Sequence, residues 1–279
     1  MENHSTSINL GKVNPKVEND HIPSTTQADT LFNFSKKLEY LIDALKNKML
    51  SPRYNTENVE YLKIENLQSI TIPMKCFCDI NLHKISEHLE WYGYYGIAFP
   101  KAWGIKTGIQ PVHYINAESA LAKDLSSTFS SAISLRTDDQ TTFESEAKNY
   151  LLHHLMYSKP YSGLAKKEEN DTVLEKEKCF TDESEWRFIP KVTAEGYQQV
   201  FINNGLSHPS ALISWSNSMS GNSAISLNFE YSDIKYIIVK QASDLDSLIE
   251  SINGFQIDNF KKQKLIRKII VWEDSRGDF

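Results

Sequence analysis

The chain contains no internal repeat, and its short apolar runs alternate irregularly with stripes of helical spacing. That irregularity limits the fold more than any other feature. A doubly wound sheet needs strands and helices in regular succession, whereas irregular mixing points to an α+β fold. The expected architecture is a mixed, mostly antiparallel sheet with flanking helices. The run Ile234–Val239 (IKYIIV) has the unbroken apolar character of a strand covered on both faces. Thr30–Ser35 (TLFNFS) and Ile70–Asp79 (ITIPMKCFCD) also read as strands, the second with Pro73 suggesting an edge, a bulge or a late start to pairing. Further strands are expected at Gly96–Phe99, Val112–Ile115, Trp186–Pro190 and Lys268–Trp272.

Between them lie helical stripes. Leu38, Leu41, Ile42, Leu45 and Met49 repeat at helical spacing behind Ser35 as a cap, with Ser51-Pro52 as the stop. Ile85, Leu89 and Tyr92 predict a short helix ending at Gly93, and KAWGI predicts a turn of helix over Lys101–Ile105. Leu121, Leu125, Phe129 and Ile133 form one longer stripe; Phe143, Ala147, Tyr150, Leu151 and Leu155 form another. A helix is expected around Ala194–Ile202, one after Ser243 that stops at Gly254, and a basic one over Phe260–Arg267.

Two segments carry few apolar anchors. Residues 1–28 are polar and cannot bury enough surface to offset their ordering entropy, so they read as a disordered N-terminal arm. Residues 29–279 then form a single α+β domain, with a Lys/Glu-rich mobile connection near 158–179. A Ser/Asn-rich stretch follows at Ser207–Asn222.

With a net charge of −6, the chain lacks the overall basic surface on which sequence-independent nucleic-acid binding relies. One local exception is Lys261, Lys262, Lys264, Arg267 and Lys268, whose spacing scatters them around a helix, so that a solvated face competes with a nucleic-acid contact. Three cysteines, Cys76, Cys78 and Cys179, are too few for a disulfide framework and lack partners for a zinc site; no metal is expected. No apolar stretch is long enough to cross a bilayer, and a cytoplasmic location is the expectation.

The densest polar signal is Thr181–Arg187 (TDESEWR). On a strand, Glu183, Glu185 and Arg187 share one face, since side chains alternate with period two. Two carboxylates beside a guanidinium suit acid–base work or stabilisation of a cation, with Arg187 keeping a carboxylate ionised. The same pattern also suits an exposed strand edge with ordinary salt bridges. Trp186, on the other face, would anchor the strand in the core. Asp79, directly after an apolar strand, reads as a helix cap before a catalyst, and His83 and His88 read as structural. The chain has no P-loop, nucleophile elbow, zinc-protease motif or dinucleotide fingerprint.

Several segments in series resemble the AbiGi family of abortive phage infection proteins. They are Leu31–Ser35 with Leu41–Leu45, Ser51–Tyr54, Ile72–Ile80, Tyr92–Ile97, Lys101–Ile105 and Asp182–Pro190, spread over residues 30–240. The family is described as the antitoxin half of a two-gene phage-resistance system. The resemblance therefore implies a bacterial cytoplasmic protein acting beside a separate cognate toxin. A looser likeness concerns mechanism. The opening strand and the Glu-x-Glu pair are similar to ADP-ribosyltransferase-like proteins, which would imply that fold and NAD as cofactor. In that case Glu185 is the catalytic carboxylate with Glu183 and Arg187 beside it, and Asn33 and Ser35 contact the cofactor. Asn33 stands where that pattern has His. Three readings follow: a regulator bound to a toxin, an NAD-using transferase, and a nucleic-acid-binding regulator.

Overall fold

A computed structural model describes residues 22–134, 142–169, 172–203 and 209–276. Most of the expected N-terminal arm, residues 1–21, lies outside the described residues. Of the remainder, Ala28 packs into an apolar cluster with Phe32 and Trp272.

The strands in chain order are β1 (Thr30–Ser35), β2 (Met49–Leu50), β3 (Arg53–Asn58), β4 (Ser69–Cys78), β5 (Tyr95–Pro100), β6 (Gln110–Pro111), β7 (His113–Ile115) and β8 (Ser158–Pro160). They continue with β9 (Ser162–Glu169), β10 (Thr172–Cys179), β11 (Glu185–Phe188), β12 (Phe201–Ile202), β13 (Leu227–Asn228), β14 (Tyr236–Val239) and β15 (Ile269–Val271). The helices are α1 (Leu38–Asn47), α2 (Ser86–Tyr92), α3 (Lys101–Lys106), α4 (Ala120–Ser134), α5 (Thr142–Met156), α6 (Pro209–Ser218), α7 (Ala242–Asn253), α8 (Asn259–Ile266) and α9 (Trp272–Ser275).

The main sheet runs β15-β14-β5-β1-β4-β11-β6, with β3 and β12 also paired to β4. Only β14–β15 is parallel within it. This is the α+β architecture with a mostly antiparallel sheet and flanking helices that the irregular alternation implies. β14 sits between β5 and β15, and that position accounts for its unbroken apolar run.

Each face of the sheet buries its own set of side chains, as period-two alternation requires. Leu31, Phe77, Ile97, Phe99, Ile237 and Val239 pack against α1, α7 and α8. Phe32, Cys78, Ala98 and Ile238 face the other way, toward Leu89 of α2 and Ile85 just ahead of it. Ile70, Ile72 and Met74 from β4 pack against α4 and α5 through Leu125, Phe129, Leu151 and Leu155. Cys76 and Cys78 share a face, as small side chains packed into the apolar clusters.

Pro73 is inside a ten-residue strand, not at its start. It pairs with Tyr54, whose backbone N–H is bound by Ser216 Oγ, so the pair makes no ladder bond across β3. The missing N–H of Pro73 instead falls between β12, which pairs as far as Thr71, and β11, which begins at Lys75.

Several local expectations are corrected. Ser35 ends β1 and does not cap α1; its hydroxyl donates to the Tyr95 carbonyl, and Lys37 is the N-cap. Lys48, in the left-handed region at φ 51°, ends α1 before Ser51-Pro52 is reached. Gln241 and Asp244 form a reciprocal capping box at α7, so the cap lies two residues ahead of Ser243. The expected helix over Ala194–Ile202 is reduced to a single turn at Thr193–Glu195 and the strand β12, whose pairing to β4 outweighs local helical preference. The stripes on α4 and α5 hold at Leu125, Phe129, Leu151 and Leu155, whereas Leu121, Phe143 and Tyr150 are exposed. Residues 158–179 contain β8, parallel to β7, and the β9–β10 hairpin, for which the sequence carries no apolar alternation.

Candidate functional site

β4 and β11 pair with Glu185 opposite Cys78 and Arg187 opposite Cys76, so both charged side chains project on the Cys76/Cys78 face. Arg187 is fully buried and Glu185 nearly so. Arg187 Nε donates to Glu185 Oε1 at 2.7 Å, Nη1 donates to the Met156 carbonyl at 2.8 Å, and Nη2 lies 3.1 Å from Glu57 Oε2. Glu183 is not on the strand. It closes a turn that ends at Ser184, at φ 41°, and reaches the cluster from there.

A third group joins the two glutamates. Lys159 Nζ of β8 is 2.6 Å from Glu183 Oε2 and 2.7 Å from Glu185 Oε2. β7 lies beside β8 and places Tyr114 opposite Lys159. The Tyr114 hydroxyl accepts the backbone N–H of Glu185 at 2.8 Å. The second oxygen of Glu183 accepts from Lys178 Nζ at 2.5 Å and from the Tyr92 hydroxyl at 2.6 Å. Three carboxylates (Glu57, Glu183 and Glu185) thus meet three cations (Lys159, Lys178 and Arg187), and their formal charges cancel.

The electrostatics follow from this closure. Burial alone would raise the pKa of Glu185, but Arg187 and Lys159 outweigh it and hold the group well below its ordinary value. Burial is likewise overcome at Glu183, chiefly by Lys159, and its pKa is lowered. Lys159 and Arg187 are driven the other way against burial by the glutamates, so all four remain ionised. The His88 ring lies tilted against that of Tyr92, with centroids 4.4 Å apart, and burial lowers its pKa to about 4, leaving it neutral at pH 7.

Chemically, Glu185 has each oxygen engaged by a cation and lies inside the protein. A carboxylate in that state is a poor base and has no open side for a substrate. What the arrangement does well is tie β3, β8, β10 and β11 together at one point. The loss of any one partner would leave an uncompensated charge in the interior.

The structure therefore brings Glu183, Glu185 and Arg187 together, but not Asn33 or Ser35. Phe32 pairs with Cys78 and so shares the Glu185 face; Asn33, one residue on, projects from the opposite face. Its side-chain amide donates to the Cys76 carbonyl at 2.8 Å. Asp79 is not a helix cap: it is buried beside Lys101, with Nζ 2.5 Å from Oδ2, on the Trp186 side of the sheet. Lys159, Lys178 and Glu57 went unrecognised in the sequence. The two lysines sit in a Lys/Glu-rich stretch where nothing in the pattern separates a buried lysine from a solvated one, and Glu57 is placed only by the β3–β4 register. The basic cluster is largely engaged within the chain: Lys261 pairs with Asp258, Lys262 donates to the Asn253 carbonyl, and Lys268 donates to the Tyr231 carbonyl. Among the described residues, no group of His, Cys, Asp and Glu could hold a metal, and no helix is long and apolar enough to cross a membrane.

Residues 47–240 match the family model described as "Putative abortive phage resistance protein AbiGi, antitoxin". The abortive phage resistance protein AbiGi of Lactococcus lactis subsp. cremoris is 36% identical over 248 residues, covering 82% of this chain and 98% of the relative. No solved structure matches. The matched span includes β3, β8, β10, β11 and the turn ahead of β11, which together supply Glu57, Glu183, Glu185, Arg187 and both lysines of the buried cluster. By the model match and by 36% identity over nearly the whole of that relative, the chain belongs to the AbiGi family of abortive phage resistance proteins.

Proposed function

We propose that this protein acts in bacterial phage resistance as the antitoxin partner of a separate toxin, restraining it by direct binding in the cytoplasm. The observation that carries this reading is the family match, whose description includes the antitoxin role, together with a relative aligned over nearly its full length. The geometry supports binding over catalysis. The dense charged cluster around Glu185 is closed on itself, with both carboxylate oxygens engaged by cations inside the protein.

A surface for the partner is at hand on α5. Phe143 and Tyr150 are seven residues apart, on one helix face, and are 76% and 67% exposed. Exposed aromatics of this kind are enriched where proteins meet. The NAD-transferase reading draws less support, because Asn33 and Glu185 project from opposite faces of the sheet. The nucleic-acid reading draws less as well, because the net charge is −6 and Lys262 and Lys268 already donate to backbone carbonyls of the chain.

The test is co-expression with the product of the adjacent gene, followed by purification through a tag on this chain. A stoichiometric complex, and relief of that product's toxicity, are expected. A toxic neighbour that neither co-purifies with this chain nor is relieved by it would overturn the reading.

A further inference from the structure

A cleft of about 560 Å³ opens beside the buried cluster, between α2, the start of β3, α6 and the β9–β10 hairpin. Three of its lining side chains are cationic (Lys36, Arg53 and Lys166), three are aromatic (Tyr54, Trp91 and Tyr92), and Ile213 lies at its apolar side. None of the described lining residues is a carboxylate. In a chain of net charge −6, a concavity walled only by positive, aromatic and neutral groups is a local reversal of sign.

Lys178 Nζ sits 4.9 Å from the centre of the Trp91 ring and 5.1 Å from that of Tyr92, behind the aromatic wall, with its charge balanced by Glu183. Lys166 is paired with Glu175 at 2.7 Å, but both are well exposed, at 63% and 46%; such a pair is weak enough for the ammonium to turn to a new anion. Arg53 Nη1 makes only a long 3.5 Å contact to Asn217 Oδ1, so its guanidinium has donors left for a ligand. Tyr92 is pinned by its hydroxyl bond to Glu183, which makes this wall of the cleft rigid.

We propose that this cleft binds a nucleoside phosphate. The cations would take the phosphates and the indole and phenol walls the base. The volume falls in the range of small-molecule sites, well above what a bare phosphate fills. The site is separate from Asn33 and from the proposed partner surface on α5, so it stands or fails independently of the antitoxin reading.

The test is isothermal titration of the full chain with ATP, AMP, inorganic pyrophosphate and a tetranucleotide. ATP is expected to saturate one site, with AMP weaker and pyrophosphate at least about 10-fold weaker. Arg53→Ser should weaken ATP by about 10-fold or more. Ile213→Glu should do the same from a residue that is 52% exposed, where the substitution leaves the core untouched. Failure of ATP to saturate at millimolar concentration would overturn the proposal, as would unchanged binding in the Ile213→Glu chain. Pyrophosphate binding as tightly as ATP would exclude a role for the base. Tighter binding of the tetranucleotide would make a nucleic-acid strand, not a free nucleotide, the ligand.

Discussion

Two buried acids lie close to one end of the β4–β11 pair, on opposite sides of the sheet, and the protein treats them in opposite ways. Glu185 has two cationic partners bonded to its two oxygens, and its pKa is lowered. Asp79 has one, Lys101, at 2.5 Å, with the Trp186 side chain beside it, and burial raises its pKa against the pull of both. Proximity of one opposite charge is therefore insufficient to offset the loss of water around a carboxylate. Saturation of its lone pairs by several donors is what tips the balance.

The largest expected effect tests the Glu185 side. Arg187→Met removes the group that faces Glu185 and Glu57 and bonds the Met156 carbonyl, leaving charges stranded inside. A loss of about 3–5 kcal/mol is expected, read from urea unfolding at pH 7. A loss below about 1 kcal/mol would mean that the cluster is hydrated and the contrast with Asp79 false.

The Asp79 side should respond less. Lys101→Met leaves a carboxyl group that can take up a proton, since its pKa is already raised, so about 1–3 kcal/mol is expected at pH 7. Because an apolar replacement of both partners removes the desolvation cost, the double variant Asp79→Leu/Lys101→Met should recover most of that loss. Failure to recover would show that the pair contributes more than its proximity suggests.

The pH dependence separates the two more finely, because the signs differ. Glu185 has a folded pKa below its ordinary 4.5, so its contribution is present above about pH 4.5 and is lost on acidification. Glu185→Gln should therefore cost more at pH 7 than at pH 3. Asp79 has a folded pKa above its ordinary 3.8, so its ionisation costs stability as the pH rises past that value. The Asp79→Asn chain should gain relative to the parent between pH 4 and pH 7. Thermal midpoints measured from pH 3 to pH 7 check both slopes, and equal signs would dissolve the comparison.

The smallest effect on stability is expected far from either cluster. Phe143→Ser with Tyr150→Ser changes exposed positions on α5 and should alter stability by no more than about 0.5 kcal/mol each. The same double variant should lose co-purification with the toxin. Retained binding would move the partner surface elsewhere.

Much of the fold was legible because it rests on local pattern. β1, the C-terminal end of α2 at Gly93, α7 and β14 follow from alternation, helical spacing and stop residues. Gly93 adopts φ 113°, and the place a Cβ would take is filled by the Ser35 carbonyl, which excludes any side chain. The candidate site was half legible: period two placed Glu185 and Arg187 on one face, and chain proximity brought Glu183 to them. Lys159 was not legible, since its neighbour across the ladder, Tyr114, is 45 positions away in the sequence.

The amino-acid order alone determined the α+β class, the principal strands and helices, and the family likeness, because each depends on residues near one another in the chain. Tertiary structure decided that Asn33 and Glu185 face apart, that a lysine-rich stretch supplies the charges of a closed interior network, and that Asp79 is left with a single cationic partner. Those outcomes depend on strand register and on which charges are withdrawn from water together. Both are settled only when distant segments pack.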